Sequence, residues 1–338
     1  MDLKVNNKPK VFFQGQTPGH TKGFVLSPTE AKQLAMKARG SRQVLYPYIV
    51  GQELLHSGLP SRWVIDFDAE DAMIAKAVAP AAYERLHRLV RPDREARAAA
   101  EAAGNAAAVN RNSKARVNWH HRNFLNRWWQ HSYRREDFLK AIAGLDRFIA
   151  LAATASVLRK PVFTYVSTSI RPSHAIQCFA LDDDYSFGVL QSSVHEQWFR
   201  GRCSHLKSDL RYTSATVFNT FPWPQDPSPE AVDHVVAVVE ELIAFRQNRL
   251  ELGISLAQQY DSLREPGKSR LRHLHDELDR AVLTAYGLNT KADVLAEILA
   301  LNHLVAKREL NGEAVRGPRR NQITAVRRTD YAVHAESL

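Results

Sequence analysis

Apolar and polar positions along the chain change their spacing from one stretch to the next. Residues 1–83 mix short apolar runs with turn signals at Pro18-Gly19, Tyr46-Pro47 and Leu59-Pro60. Phe24-Val25-Leu26, Leu45 to Val50 and Trp63-Val64-Ile65 have the length and β-branching of strands. Thr29 to Ala38 predicts a short helix, with Ser27 as its cap and Pro28 at its first position. From about 84 to 160 the spacing turns helical. Ala-rich Asp93 to Ala108 is a strong intrinsic helix former, broken near Asn110-Arg111-Asn112-Ser113. Arg122 to Arg134 and Glu136 to Ala153 predict two more helices. Trp128 and Trp129 are adjacent, so a helix would turn only one of them onto the core and leave the other for a neighbouring element.

Lys160 to Pro224 reads as strand-rich: Val162 to Val166, Ala175 to Leu181 and Phe187 to Leu190 are short apolar runs, and Asp182 to Tyr185 reads as a turn between two of them. Phe221-Pro222-Trp223-Pro224 closes this zone, because paired prolines continue neither a sheet interior nor a helix. Ala231 to Leu252 places Val235, Val238, Val239, Leu242, Ile243 and Phe245 at amphipathic helical spacing. Leu271 to Tyr286 and Ala292 to Val305 repeat the pattern, with Gly287 as a natural C-cap. From Asn311 the chain is polar, Arg-rich and expected to be mobile. The expectation is an α+β fold: a mixed-sheet domain over 1–226 with a basic helical insertion at 84–160, a C-terminal helical bundle over 227–310, and a mobile basic tail over 311–338.

A length of 338 residues allows about two domains, and 44% hydrophobic with 24% charged residues is a globular rather than a disordered or fibrous balance. Cys178 and Cys203 are too few for a disulfide framework and fit a reducing compartment. The first residues hold no signal-type apolar run, and no stretch approaches the roughly 20 apolar residues of a membrane span, so a cytoplasmic protein without membrane contact is expected. The formal charge of +10 favours a polyanionic partner. It is concentrated: Arg85 to Arg135 holds eleven Arg and one Lys against Asp93, Glu95 and Glu101. Lys307 to Arg328 forms a smaller basic cluster.

The chain shows no self-contained active site. Gly15, Gly19 and Gly23 lie near Lys22, but the order of a phosphate-binding loop fails. Asp66, Asp68, Glu70 and Asp71 read as a solvated acidic loop after a strand, since no E-x-K of a metal-dependent nuclease follows. His120-His121 and His273-Leu274-His275 have no Cys or carboxylate at zinc-ligand spacing, so no metal is expected. No G-x-S-x-G elbow occurs.

Two blocks carry a family resemblance. Tyr46 onward reads YPYIVGQELL followed by RWVIDF; Phe179 onward reads FALDDDYSFGVLQSSVHEQWF and then LKSDLRYTSATVFNTFPWP. Together they resemble the target-recognition region of large adenine-specific DNA methyltransferases. These include single-chain restriction–modification enzymes of the MmeI type and methyltransferases of the DISARM and BREX phage-defence systems. LHDELDRAVLTAYG, from Leu274 to Gly287, is similar to the helical C-terminal region of the same enzymes. Such enzymes bind S-adenosylmethionine through a Gly-rich strand–loop and hold the target adenine with an Asn-Pro-Pro-Tyr type motif. Neither occurs here; the sequence has no Pro-Pro pair. The resemblance therefore implies a recognition module without catalytic residues of its own, starting just after the catalytic domain. S-adenosylmethionine is expected in the associated catalytic domain or subunit, and double-stranded DNA and that methyltransferase are the expected partners. A split-gene subunit, a frame-disrupted remnant, a fragment and a standalone nucleic-acid-binding protein all remain open at this level.

The resemblance further implies that the Lys207 and Asp209 positions, just upstream of the RYT segment, form a pair that reads one base pair. Residues two apart in an extended segment share a face, and Lys can donate to guanine O6 or N7 while Asp accepts from cytosine N4, so a G·C pair is expected. Arg211 belongs to the same base-reading segment. Ser192, Ser193, His195, Arg200 and Arg202 are candidate DNA contacts, as are Ser169 and Arg171 on a loop between strands. Arg122, Arg127, Arg134 and Arg135 are expected to track phosphates. Trp198 and the FPWP aromatics are expected to pack rather than to bind.

Overall fold

The computed structural model of the chain describes residues 1–38, 40–206, 209–291 and 293–318. The N-terminal part runs β1 (Phe12–Gln14), α1 (Thr21–Phe24), β2 (Val25–Leu26), α2 (Pro28–Lys37), β3 (Leu45–Ile49), α3 (Gly51–Leu55), β4 (Arg62–Ile65), α4 (Ala72–Val78) and α5 (Pro80–Leu89). The basic stretch follows as α6 (Arg91–Arg111), α7 (His120–Asn126) and α8 (Glu136–Ile142). Then come β5 (Arg147–Ala152), β6 (Thr154–Ala155), β7 (Phe163–Ser167), β8 (Arg171–Pro172), β9 (Ile176–Phe179), α9 (Asp184–Gln191), α10 (Ser193–Arg202), β10 (Ser204–Leu206) and β11 (Asp209–Arg211). The chain ends in α11 (Pro229–Glu251), α12 (Leu256–Asp261), α13 (Arg270–Ala285) and α14 (Val294–Leu310).

The central sheet has the order β1-β9-β5-β7 and is antiparallel throughout, with Ile149 facing both Tyr165 and Phe179. It is covered on both faces, which is why β5 reads almost continuously apolar rather than alternating. Ile149, Leu151, Phe163, Tyr165 and Phe179 enter one core with α9, α11 and α13. Phe148, Ala150, Val166, Ile176 and Cys178 enter another with Phe138 and Ile142 of α8 and with Ile49 and Leu54. A second sheet, β2-β4-β3-β8, packs with α2, α5 and Trp128 and Trp129 over a third core. The first core takes residues from both sides of position 226, so the C-terminal helices complete the cover of the central sheet. Gly188 makes the closest part of that cover possible: a Cβ there would sit 2.5 Å from Val235 Cγ1 and 2.9 Å from Val239 Cγ2.

Several expectations hold, and an α+β fold is what forms. Ser27 caps α2 in a capping box with Glu30, and Pro28 opens it. Gly287 takes the left-handed conformation after α13, at φ +70°.

Others are corrected. The helix expected from Glu136 to Ala153 stops at Ile142, and Arg147 to Ala152 is a strand buried at every position. Phe187 to Leu190 is helix α9, not a strand, and Asp183 is its N-cap, accepting from Ser186 N–H at 2.7 Å. The helix expected over Arg122 to Arg134 ends at Asn126. Beyond it the chain is no longer helical, so both adjacent tryptophans turn inward: Trp128 and Trp129 are buried, and the Trp129 indole donates to the Ala69 carbonyl at 3.0 Å. Phe24 closes α1 and only Val25-Leu26 is strand. Residues 319–338, most of the expected tail, lie outside the described residues. The stretch before them is tied down, with Arg316 N–H donating to Gln225 Oε1 at 3.0 Å.

Candidate nucleic-acid interface

The segment expected to read bases forms a β-hairpin. β10 and β11 pair antiparallel through Ser204–Arg211, His205–Leu210 and Leu206–Asp209. β11 also joins the two-residue strand β6, with Leu210 opposite Ala155 and Arg211 opposite Thr154. Leu210 is buried in the main core while Arg211 is exposed, so one side chain anchors the hairpin and its neighbour faces solvent. Asp209 is the first residue of β11. Lys207 lies outside the described residues, as does Ser208, so the geometry of the Lys207–Asp209 pair does too.

Behind the hairpin the RYT segment is fastened inward. Tyr212 is buried, and its hydroxyl lies 3.0 Å from His195 Nε2. His195 Nδ1 lies 2.9 Å from the Leu190 carbonyl, which can only accept, so Nδ1 carries the proton and Nε2 accepts from Tyr212. Burial pushes the imidazole down to about 3, so this pair is neutral. Ser214–Phe218 then form a π-turn, and the Trp198 indole donates to Val217 O within it and to Thr220 Oγ1 just beyond it. Phe221 and Trp223 are buried, the packing role expected of the FPWP aromatics.

The candidate contacts therefore divide. His195 and Ser192 are buried, and Ser192 Oγ is used by the Val189 carbonyl and the His195 N–H, so neither presents a side chain to a ligand. Ser193 begins α10 and gives its N–H to Asp279. Arg200 is held by Glu196 at 2.9 Å and by the carbonyls of Val157 and Arg159. Arg202 lies with its guanidinium 5.0 Å from the Trp198 ring centre, at the base of the hairpin. Ser169 is exposed, with Ser167 Oγ at 2.9 Å.

Arg171 and Arg134, expected at separate DNA contacts, meet on one carboxylate. Asp66 is fully buried and accepts from Arg134 Nε at 2.8 Å, Arg171 Nε at 3.1 Å and Gln16 Nε2 at 3.0 Å. Arg134 also reaches the exposed Asp68, and Arg171 lies over the Tyr46 ring at 3.8 Å. Burial pushes the Asp66 carboxyl up, but His131, Arg134, Arg171 and the Gln16 hydrogen bond outweigh it and hold it below the usual range. His131 is itself lowered by burial, so at neutral pH the two guanidiniums carry the compensation. The acidic segment after β4 is thus a buried hub at Asp66 and solvated only beyond it, which corrects the expectation of a wholly solvated loop.

The basic stretch is redistributed in the same way. Arg94 is buried and donates to the carbonyls of Phe124, Arg127 and Pro18. Arg85 holds Glu30 and the Gly23 carbonyl. Arg135 donates to Gln14 Oε1 at 2.9 Å, whereas Arg122 and Arg127 are exposed. Sequence reasoning missed a second buried pair: Arg147 reaches Asp184 at 3.0 Å and the Asp182 carbonyl at 2.9 Å, and Tyr165 donates to Asp184 at 2.8 Å. The signal was present, because three successive aspartates beside an apolar run need a buried cation if they fold inward. Among the described residues no group of three or more His, Cys, Asp or Glu is placed to hold a metal, and no helix is long and apolar enough to cross a membrane.

The family described as "MmeI, target recognition domain" matches residues 3–225, which take in the hairpin, the Asp66 hub and both sheets. The chain belongs to that family. The MmeI-type fold extends beyond the matched residues. The solved structure of the Type IIL restriction–modification enzyme MmeI in complex with DNA superposes with a TM-score of 0.67 over 88% of this chain, at 20% identity. DNA methyltransferase A of Bacillus subtilis (strain 168) is 31% identical over 102 residues, 30% of this chain. The chain spans 36% of the MmeI chain and 11% of the Bacillus subtilis protein.

Proposed function

We propose that this chain is the sequence-reading module of an adenine-N6 DNA methyltransferase in a restriction–modification or phage-defence system, with methyl transfer performed by machinery outside these 338 residues. The observation that carries the reading is the family match over residues 3–225, joined to a fold shared with a protein solved on DNA. The glycine-bearing segment after β1 does not fit S-adenosylmethionine. The glycines that follow β1 are the nearest thing to a Gly-rich turn, but the space beside them is filled by the protein: Ser173 O at Gly15, Ser132 at Gly19 and Val90 at Gly23. The cofactor accordingly belongs to the methylase, and the adenine amine meets it there.

The reading element is the β10–β11 hairpin. Lys207 donates to guanine O6 or N7 and Asp209 accepts from cytosine N4, with Arg211 beside them; such a pair discriminates by about 1–3 kcal/mol against a wrong base. Arg202 remains a candidate for a contact beside it and Ser169, at the opposite end of β5, for one elsewhere, while the buried Ser192 and His195 position the hairpin from behind. The test is the double exchange Lys207→Glu with Asp209→Arg, in this chain combined with the methylase that it serves. Sequencing of methylated sites should show a changed base at one position of the recognition sequence; an unchanged sequence overturns the assignment. Methyl transfer by the 338-residue chain alone would overturn the division of labour.

A further inference from the structure

Helix α6 has 21 residues, and at 1.5 Å per residue it is about 31 Å long. Arg94, near its start, is its one buried residue, and α7 has none. The two helices form an arm held at its base and standing free beyond it. Their contact is a half-buried stripe, Ala98, Glu101, Asn105 and Ala108, at the three- and four-residue spacing of one helix face. Glu101 accepts the backbone N–H groups of His121 and Arg122 at 2.9 and 3.1 Å. Asn105 and Asn118 exchange hydrogen bonds of 2.6 and 2.9 Å, and Asn118 also receives the His120 N–H. The connection at the far end is therefore fixed by its own hydrogen bonds.

Charge on this arm is sorted by position. Near the base Arg91 pairs with Glu95 and Arg97 with Asp93, while Arg94 is buried on backbone carbonyls. Along the outer half of the arm, from the level of Glu101 to the tip, Arg111, Lys114, Arg116 and Arg122 are exposed and make no ion pair among the described residues. Glu101 is the sole acid between residues 96 and 135, and the backbone of α7 occupies it. Trp119 stands 47% exposed among these cations, with the Arg122 guanidinium 5.0 Å from its ring centre. A face serving only solubility would intersperse both signs, as the base of α6 does.

We propose that the outer half of the α6–α7 arm is a second DNA contact, laid on the sugar-phosphate backbone of duplex outside the bases that the hairpin reads. The inference rests on the chain being a DNA-recognition module, and adds where that module grips. Four cations on a hydrogen-bonded frame present a fixed positive end to a polyanion carrying one charge per ~1.7 Å of axis. The Trp119 indole N–H offers a further donor to a phosphate oxygen.

The test is the salt dependence of binding to random-sequence duplex DNA. Each phosphate contact contributes about 0.9 to the slope of log K against log salt. The variant Arg111→Ala, Lys114→Ala, Arg116→Ala, Arg122→Ala should therefore have a slope shallower by up to ~3.6. A second variant, Arg111→Lys, Arg116→Lys, Arg122→Lys, keeps the charge and should keep the wild-type slope; matching thermal melts of all three proteins confirm that the arm is folded. A decrease of about one or more in the alanine variant, with the lysine variant unchanged, supports the contact. A smaller decrease overturns it, as does equal loss in the lysine variant or preference of the arm for single strands. Absence of salt-dependent duplex binding by the wild-type chain would overturn the proposed function as well, whereas binding with an unaltered slope removes the arm alone.

Discussion

Replacing Asp66 by Asn tests whether the N-terminal sheet is held by one buried carboxylate. The change is nearly isosteric but removes the charge that answers Arg134 at 2.8 Å and Arg171 at 3.1 Å, and it points an amide donor toward one of them. Both guanidinium side chains are about nine-tenths covered, so solvent cannot replace the lost partner. Removing one member of a buried ion pair costs about 3–5 kcal/mol. For 338 residues unfolding together, an entropy of about 2.1 cal/mol/K per residue converts 4 kcal/mol into a fall in Tm of about 6 °C. The assay is urea unfolding of wild type, Asp66→Asn and the control Asp68→Asn, whose side chain is 84% exposed and should cost within about 0.5 kcal/mol. The sign with pH follows from the depressed carboxyl. Its stabilisation is complete above the ordinary carboxylate value and disappears as pH falls through the lower value in the folded protein. The gap between wild type and Asp66→Asn should therefore persist at pH 7 and close in acid. A cost below about 1 kcal/mol at pH 7 would refute the hub as a determinant of stability.

Two further outcomes are expected. Gly188→Ala, which in an open helix would stabilise, should instead destabilise by about 1–3 kcal/mol because its Cβ meets Val235 and Val239; a urea midpoint at or above wild type contradicts that packing. His131, His195 and His275 are all lowered by burial, so on acidification the unfolded chain takes up their protons first. Each should remove up to ~1.4 kcal/mol per pH unit as pH falls below its ordinary value of ~6.5. Asp183 and Asp279, raised by burial, act in the opposite direction at lower pH. Imidazole nitrogen shifts therefore give the cleaner reading, and a His195 midpoint near 6.5 rather than about 3 would show that the ring is not sealed behind the hairpin.

Amphipathic helices with marked ends were legible from sequence: α2 through its capping box, and α11 and α13 through their apolar spacing. The errors fall where burial is complete on every side. Arg147 to Ala152 is buried at all six positions, so neither a period of two nor one of 3.6 is visible, and its alanines suggest helix. Phe187 to Leu190 is buried throughout within a wholly buried helix, and Gly188 there serves close approach rather than a turn. The candidate reading segment was legible only through family motifs, since a hairpin of three-residue strands has too little pattern to stand out. Charge predicted a polyanion partner but not which cations are free. Arg94, Arg134 and Arg171 look in sequence like Arg111 and Arg116, and only tertiary contact with Asp66 or with backbone carbonyls separates the two sets.

Among the described residues the hairpin segment is fastened to the core by Leu210, Tyr212 and pairing with a two-residue strand. Under the proposed reading, the residues that spell a recognition sequence are therefore not the residues that keep the protein folded. Substitutions away from a protein's core usually change stability by less than about 0.5 kcal/mol. A lineage can then try many letters at the hairpin without losing the molecule that displays them.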